Sequence, residues 1–155
     1  MKAGAGARGA SPVAADSRHR GRAAAIQMLY QWEVGALAMT DVCATFWDLG
    51  VDDVEPTPES VRAFAMALAT GTASRVTELD PLLSEAAAHW RLERMNIVDR
   101  LILRLAVYEF LHESETPASV IINEALELGR SFSGDAAVPF LNGVLDAIRR
   151  KLERA

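Results

Sequence analysis

Residues Ile97 to Leu111 read IVDRLILRLAVYEFL, fifteen positions of which only four are charged. Asn96, with Asp99 three residues later, resembles a capping box in front of this run. A helix so apolar around its circumference has to be enclosed by others. The sequence therefore predicts a central helix, and the remaining elements are read outward from it.

On its C-terminal side, Thr116-Pro117 carries the signature of an N-cap followed by proline at the first helical position, with Ile121, Ala125, Leu128 and Phe132 as the inward stripe. After Gly134, Asp135 is expected to cap a last helix with Leu141, Val144, Leu145, Ile148 and Leu152 on one face. Asn142-Gly143 would elsewhere signal a hairpin. Its helical flanks favour a glycine that lets two helices approach closely.

On the N-terminal side, Asp80-Pro81 is expected to open a helix with Leu83, Ala86, Ala87 and Trp90 on one face, and Thr57-Pro58 another with Val61, Phe64, Ala65 and Leu68. The first helix is expected to be capped by Asp16 or Ser17, to turn Ala25, Ile26, Leu29, Tyr30 and Trp32 inward, and to end at Gly35. No useful period-two alternation and no internal repeat occurs. The expectation is an all-α chain of about seven helices, with DLGVDDVEPTPES (48–60) as the loop between an N-terminal and a C-terminal group.

Half of the 155 residues are apolar, enough for one domain and too few for two of ordinary size. Cys43 is the single cysteine, so no intramolecular disulfide and no thiolate-rich metal site can form, which fits a reducing compartment. No run approaches the roughly 18–20 apolar residues of a membrane span, and the N-terminus lacks a signal-peptide core. The reading is a soluble, cytoplasmic protein, with residues 1–15 a disordered basic arm and 16–155 one helical domain.

Catalytic constellations are missing from the pattern. His19, His89 and His112 are scattered, with no His pair at helical spacing. Cys43 sits in an amphipathic run and reads as a small core residue rather than a nucleophile. The glycines of GAGARG follow no strand and precede no P-loop lysine. Glu124 and Glu127 lack the Glu-x-x-His spacing of carboxylate metal bundles and read as a solvated face.

Charge is distributed unevenly. The chain carries 16 basic and 21 acidic side chains, yet its first 32 residues hold five basic groups and one acid, summing to +4 and leaving −9 for the rest. Arg18 and Arg22 are i, i+4 neighbours expected on one face, extended by Arg20 and by Arg8 or Lys2. Guanidinium groups pair with phosphates through forked hydrogen bonds, and aromatics such as Tyr30 and Phe140 can stack on bases. The plainer alternative is a solvated arginine face.

Three blocks, RHRGRAAAIQMLYQWEV, VDRLILRLAVYEFL, and TPASVIINEALELGRSF running on to FLNGVLDAIRRKL, resemble in order and separation the NusB family of transcription antitermination factors. The resemblance implies two small helical subdomains, no catalysis, no cofactor and no metal. It implies a protein partner, ribosomal small-subunit protein NusE, and a nucleic-acid partner, boxA-type single-stranded RNA. The assembly helps RNA polymerase read through terminators, notably in ribosomal RNA operons. By the same resemblance Arg18, Arg20, Arg22, Gln27, Tyr30, Phe140 and Asn142 would contact RNA, and Glu93 and Asp99 would face the protein partner. A homodimer is left open, because family members differ in oligomeric state.

Plainer roles stand beside these. Tyr30 and Phe140 fall at core spacing, and Asp99 suits the positive end of a helix dipole. Ala136, Ala137, Val138 and Pro139 replace polar residues expected before the phenylalanine, and Gly21 interrupts the arginine helix. Two other classes remain open: a helical protein-interaction or self-associating domain without RNA binding, and the RNA-binding portion of an rRNA methyltransferase.

Overall fold

The computed structural model describes residues 12–48, 56–88 and 91–153. Among them are seven α-helices: α1 Pro12–Gly35, α2 Met39–Thr45, α3 Glu59–Ser74, α4 Val76–Ala86, α5 Ile97–His112, α6 Ala118–Phe132 and α7 Ala137–Lys151. Two 3-10 turns, Phe46–Asp48 and Leu92–Arg94, complete the list, and no strand occurs among the described residues. Residues 1–11, most of the acidic loop, and His89 with Trp90 lie outside the described residues.

The central helix is α5. Leu101 to Val107 are buried without interruption, as are Glu109 and Phe110. Helices α1, α2 and α3 pack on one another, α4, α6 and α7 surround α5, and α5 also meets α1 and α3. One continuous apolar cluster therefore joins the two groups, from Met28, Leu29 and Phe46 through Leu103 and Leu105 to Leu128 and Leu145. Asn96 caps α5 as expected, its Oδ1 accepting from the amides of Val98 (2.8 Å) and Asp99 (3.4 Å).

Several expected boundaries move. Helix α1 begins at Pro12, upstream of the predicted cap at Asp16 or Ser17. Pro58 and Pro117 occupy the N-cap positions of α3 and α6 without side-chain caps, in place of Thr57 and Thr116. Ala136 rather than Asp135 precedes α7. The larger correction is at Asp80-Pro81, which lies inside α4 instead of opening it. Proline there sacrifices the hydrogen bond to the carbonyl of exposed Thr77. Burial of Leu79 and Leu83, and a forked pair between Asp80 and Arg104 (2.9 and 2.8 Å), hold the helix across it.

The close helix approach expected at Gly143 occurs at Gly129. A β-carbon on Gly129 would stand 2.5 Å from Leu141 Cδ1, whereas one on Gly143 would meet open space. Gly21 also has a packing reason, since a β-carbon there would stand 2.5 Å from Phe64 Cδ2.

Candidate nucleic-acid interface

The arginine-rich turn of α1 divides in two. Arg18 and Arg20 are exposed. Arg18 lies over the Phe64 ring, 4.5 Å from its centroid, so the ring holds the guanidinium stem without neutralising it. Arg20 Nη2 reaches Thr57 Oγ1 at 3.5 Å. Both remain available to an anion.

Arg22 lies over the same Phe64 ring, 5.6 Å from its centroid, but on the buried side of it, which corrects its expected role as an RNA contact. It is 3% exposed. Its Nε and Nη2 grip Glu109 of α5 at 2.9 and 2.8 Å, and its Nη1 reaches Glu124 of α6 at 3.3 Å. Burial pulls the Arg22 pKa down, but the hydrogen bond and attraction of Glu109, with help from Glu124, more than restore it. Burial pushes the Glu109 carboxyl up despite Arg22. The guanidinium is the firmly charged member of this pair, and its charge is spent inside the protein. Glu124 is accordingly not a solvated residue: it is half-buried and also accepts His19 Nδ1 at 3.1 Å. Glu127, one turn away, is exposed beside Arg130.

Glu109 is the residue that sequence reasoning missed. The available signal was a carboxylate inside AVYEFL with no lysine or arginine within four residues on either side, since a buried charge needs a partner.

Four adjoining hollows run across the surface from this turn. Ser17, Arg18, Ser60, Val61 and Phe64 line the first. Val61 is shared with the second, which takes in Arg20, Gln27 and Trp47. Gln27 is shared with the third, lined by Ile26, Tyr30, Gln31, Val98 and Phe132. Val98 and Phe132 adjoin Asp99 and Ser133 of the fourth, whose other walls include Arg94, Met95, Ala137 and Phe140. Tyr30 and Phe132, both expected to point inward, are 42% and 38% exposed on this track. Phe140 is half-buried against the core, and Asn142, two residues on and therefore on another side of α7, is exposed.

The two acidic positions differ. Glu93 is exposed on the 3-10 turn Leu92–Arg94. That turn is tied down by Arg100, whose Nη1 donates to the Leu92 carbonyl at 2.9 Å. Asp99 accepts Ser133 Oγ at 2.6 Å, joining the start of α5 to the end of α6. It lines the fourth hollow with Arg94 and Phe140, so the expected partner-facing and RNA-facing residues border one another.

The NusB family model matches residues 19–150. The transcription antitermination protein NusB of Solibacter usitatus is 43% identical over 136 residues, 88% of this chain and 90% of that protein. Its counterpart in Koribacter versatilis is 44% identical over 137 residues, 88% of this chain and 91% of that protein. Among solved structures, T. maritima NusB superimposes with a TM-score of 0.75 at 29% identity, covering 86% of this chain and 91% of that one. A crystal structure of antitermination factors NusB and NusE in complex with dsRNA shares the fold, with a TM-score of 0.76 at 20% identity over 88% of this chain and 98% of that one. No helix among the described residues is long and apolar enough to cross a membrane.

Proposed function

The chain belongs to the NusB family, and from that premise we propose that it is a cytoplasmic, non-enzymatic antitermination factor acting on RNA together with NusE. It binds boxA-type single-stranded RNA and NusE at adjoining surfaces, and the assembly helps RNA polymerase pass terminators, notably in ribosomal RNA operons. The observation that carries this reading is the continuity of the track: Arg18, Arg20, Gln27, Tyr30 and Phe140 line hollows that share or adjoin residues. Arginines at one end supply phosphate contacts, and aromatics further along supply stacking surfaces. The family resemblance adds Asn142, exposed near the start of α7, as a further RNA contact. Glu93 and Asp99 lie at its far end, where acidity suits a basic ribosomal protein. Two modest surfaces engaging one assembly gain from effective concentration. Identities of 43% and 44% to proteins named transcription antitermination protein NusB favour this reading over the RNA-binding portion of an rRNA methyltransferase.

The test is fluorescence anisotropy of a short boxA-like RNA, with and without NusE, across a salt series. Affinity is expected to rise with NusE and fall with salt. The double variant R18A/R20A should lower the slope of log affinity against log salt by about 1 to 2, because each lost phosphate contact removes a little under one released counterion. An unchanged slope would remove those arginines from the interface.

A further inference from the structure

His19 stands between the exposed Arg18 and Arg20 on α1, and it is tied to another helix. Its Nδ1 lies 3.1 Å from Glu124 Oε1 of α6, and its side chain is 35% exposed. The same carboxylate oxygen accepts from Arg22 Nη1 at 3.3 Å, so Glu124 is the acceptor and Nδ1 carries the ring proton. In the neutral imidazole this leaves Nε2 a bare lone pair, which a phosphate oxygen avoids. A second proton turns Nε2 into a cationic donor, which a phosphate oxygen accepts. Helix α6 thus chooses the tautomer, and pH chooses how the ring meets an anion.

The charges that face the ring come from three helices. On α1 Asp16, Arg18, Arg20 and Arg22 lie within one turn of it. Helix α6 presents Glu124, with Glu127 one turn further on, and α5 contributes Glu109 behind Arg22, with Glu113 acting on Glu109. Arg22 answers the carboxylates of Glu109 and Glu124 with one positive charge, and a cationic His19 brings that group of four to neutrality. We infer that His19, oriented by Glu124, is a protonation-dependent phosphate contact on the arginine turn, supplying the third cation that Arg22, turned inward, does not. The inference rests on the RNA-binding reading and adds to it a pH dependence that no arginine can give.

The experiment measures anisotropy of a single-stranded boxA-like RNA with the full chain, alone and with NusE, at about pH 6 and about pH 8, because histidine is the side chain whose charge ordinarily changes in that interval. Wild type should bind about 2- to 10-fold more tightly at the lower pH, as one exposed charged contact would provide. Its slope of log affinity against log salt should steepen there by about 0.7. His19→Gln should behave at both pH values as wild type does at the higher, and His19→Arg as wild type does at the lower. His89, His112 and the terminal amine are present in every variant, so pH dependence that survives in His19→Gln is theirs. Melting curves establish that each variant is folded. Without RNA, nitrogen-15 shifts of the ring at about pH 8 should mark Nδ1 as the protonated nitrogen; a proton on Nε2 would overturn the orientation assigned to Glu124. If wild type binds RNA but its affinities at the two pH values differ by less than about twofold, or differ equally in His19→Gln, the contact is refuted. If His19→Gln changes only the melting temperature, the imidazole does no more than tie α1 to α6. If folded wild type binds no RNA at either pH even with NusE, the RNA-binding reading itself falls.

Discussion

Arg18 and Arg22 stand one turn apart on α1, yet variants at the two positions should fail in different assays. Arg22→Met leaves Glu109 buried without its forked partner, a loss of about 3–5 kcal/mol in urea unfolding. Arg22→Lys should not restore it, since an ammonium cannot make the paired 2.9 and 2.8 Å bonds to one carboxylate. Arg18→Ala should leave the unfolding midpoint within about 0.5 kcal/mol of wild type while weakening RNA binding. The sequence shows the arginine cluster but not this division. Helical spacing put Arg18 and Arg22 on one face, whereas the carboxylate that withdraws Arg22 lies 87 residues further on. The inward positions that periodicity predicts for Tyr30 and Phe132 fail for a related reason. Periodicity marks a stripe as apolar, but it does not say where the neighbouring helix stops short and leaves the stripe's last ring in solvent.

At the scale of elements, the contact between α1 and α3 turns on one missing β-carbon. Alanine at position 21 gains about 1 kcal/mol of helix propensity. It also drives a methyl group to 2.5 Å from Phe64 Cδ2, and overpacking of this kind costs about 1–3 kcal/mol. Gly21→Ala should therefore lower thermal stability by a net amount of about 1 kcal/mol. It should also weaken RNA binding, because Phe64 is the surface on which Arg18 rests. Six of the seven helices were legible from apolar spacing, a property of each segment alone, whereas the short α2 stood out only as an amphipathic run around Cys43. Helix starts were less legible. Thr-Pro and Asp-Pro pairs state where a helix can begin, and the start adopted at α4 was decided by tertiary partners, Leu79, Leu83 and the Asp80–Arg104 pair.

At the scale of the molecule, Arg104 of α5 joins the N-terminal and C-terminal groups. It binds Asp80 of α4 and, at 2.8 Å, Glu33 of α1, while Arg100 reaches the same Glu33 at 3.4 Å. Arg104→Met should lower stability by about 2–4 kcal/mol, read as a shift in the urea midpoint, because two partly buried carboxylates lose their shared cation. Since the proposed RNA track draws on α1, α3, α5, α6 and α7, this variant should lose RNA affinity at urea concentrations where helical circular dichroism is still intact. Simultaneous loss of both signals would show that the two halves unfold as one. The all-α class and the central place of α5 could be read from one unusually apolar helix. The cross-links could not, because ion pairing leaves no period in a sequence.

The buried pair of Arg22 and Glu109 also has a consequence in time. A ribosome delivers the N-terminus first, so Arg22 emerges 87 residues before the carboxylate that neutralises it. At a synthesis rate of about 5–20 residues per second that interval is roughly 4–17 s. Throughout it, α1 keeps a guanidinium that prefers water to an apolar interior, and α1 to α3 can collapse only loosely around it. The nascent chain accordingly carries three competent arginines at its leading end, Arg18, Arg20 and Arg22, and retires the third only when α5 has been made.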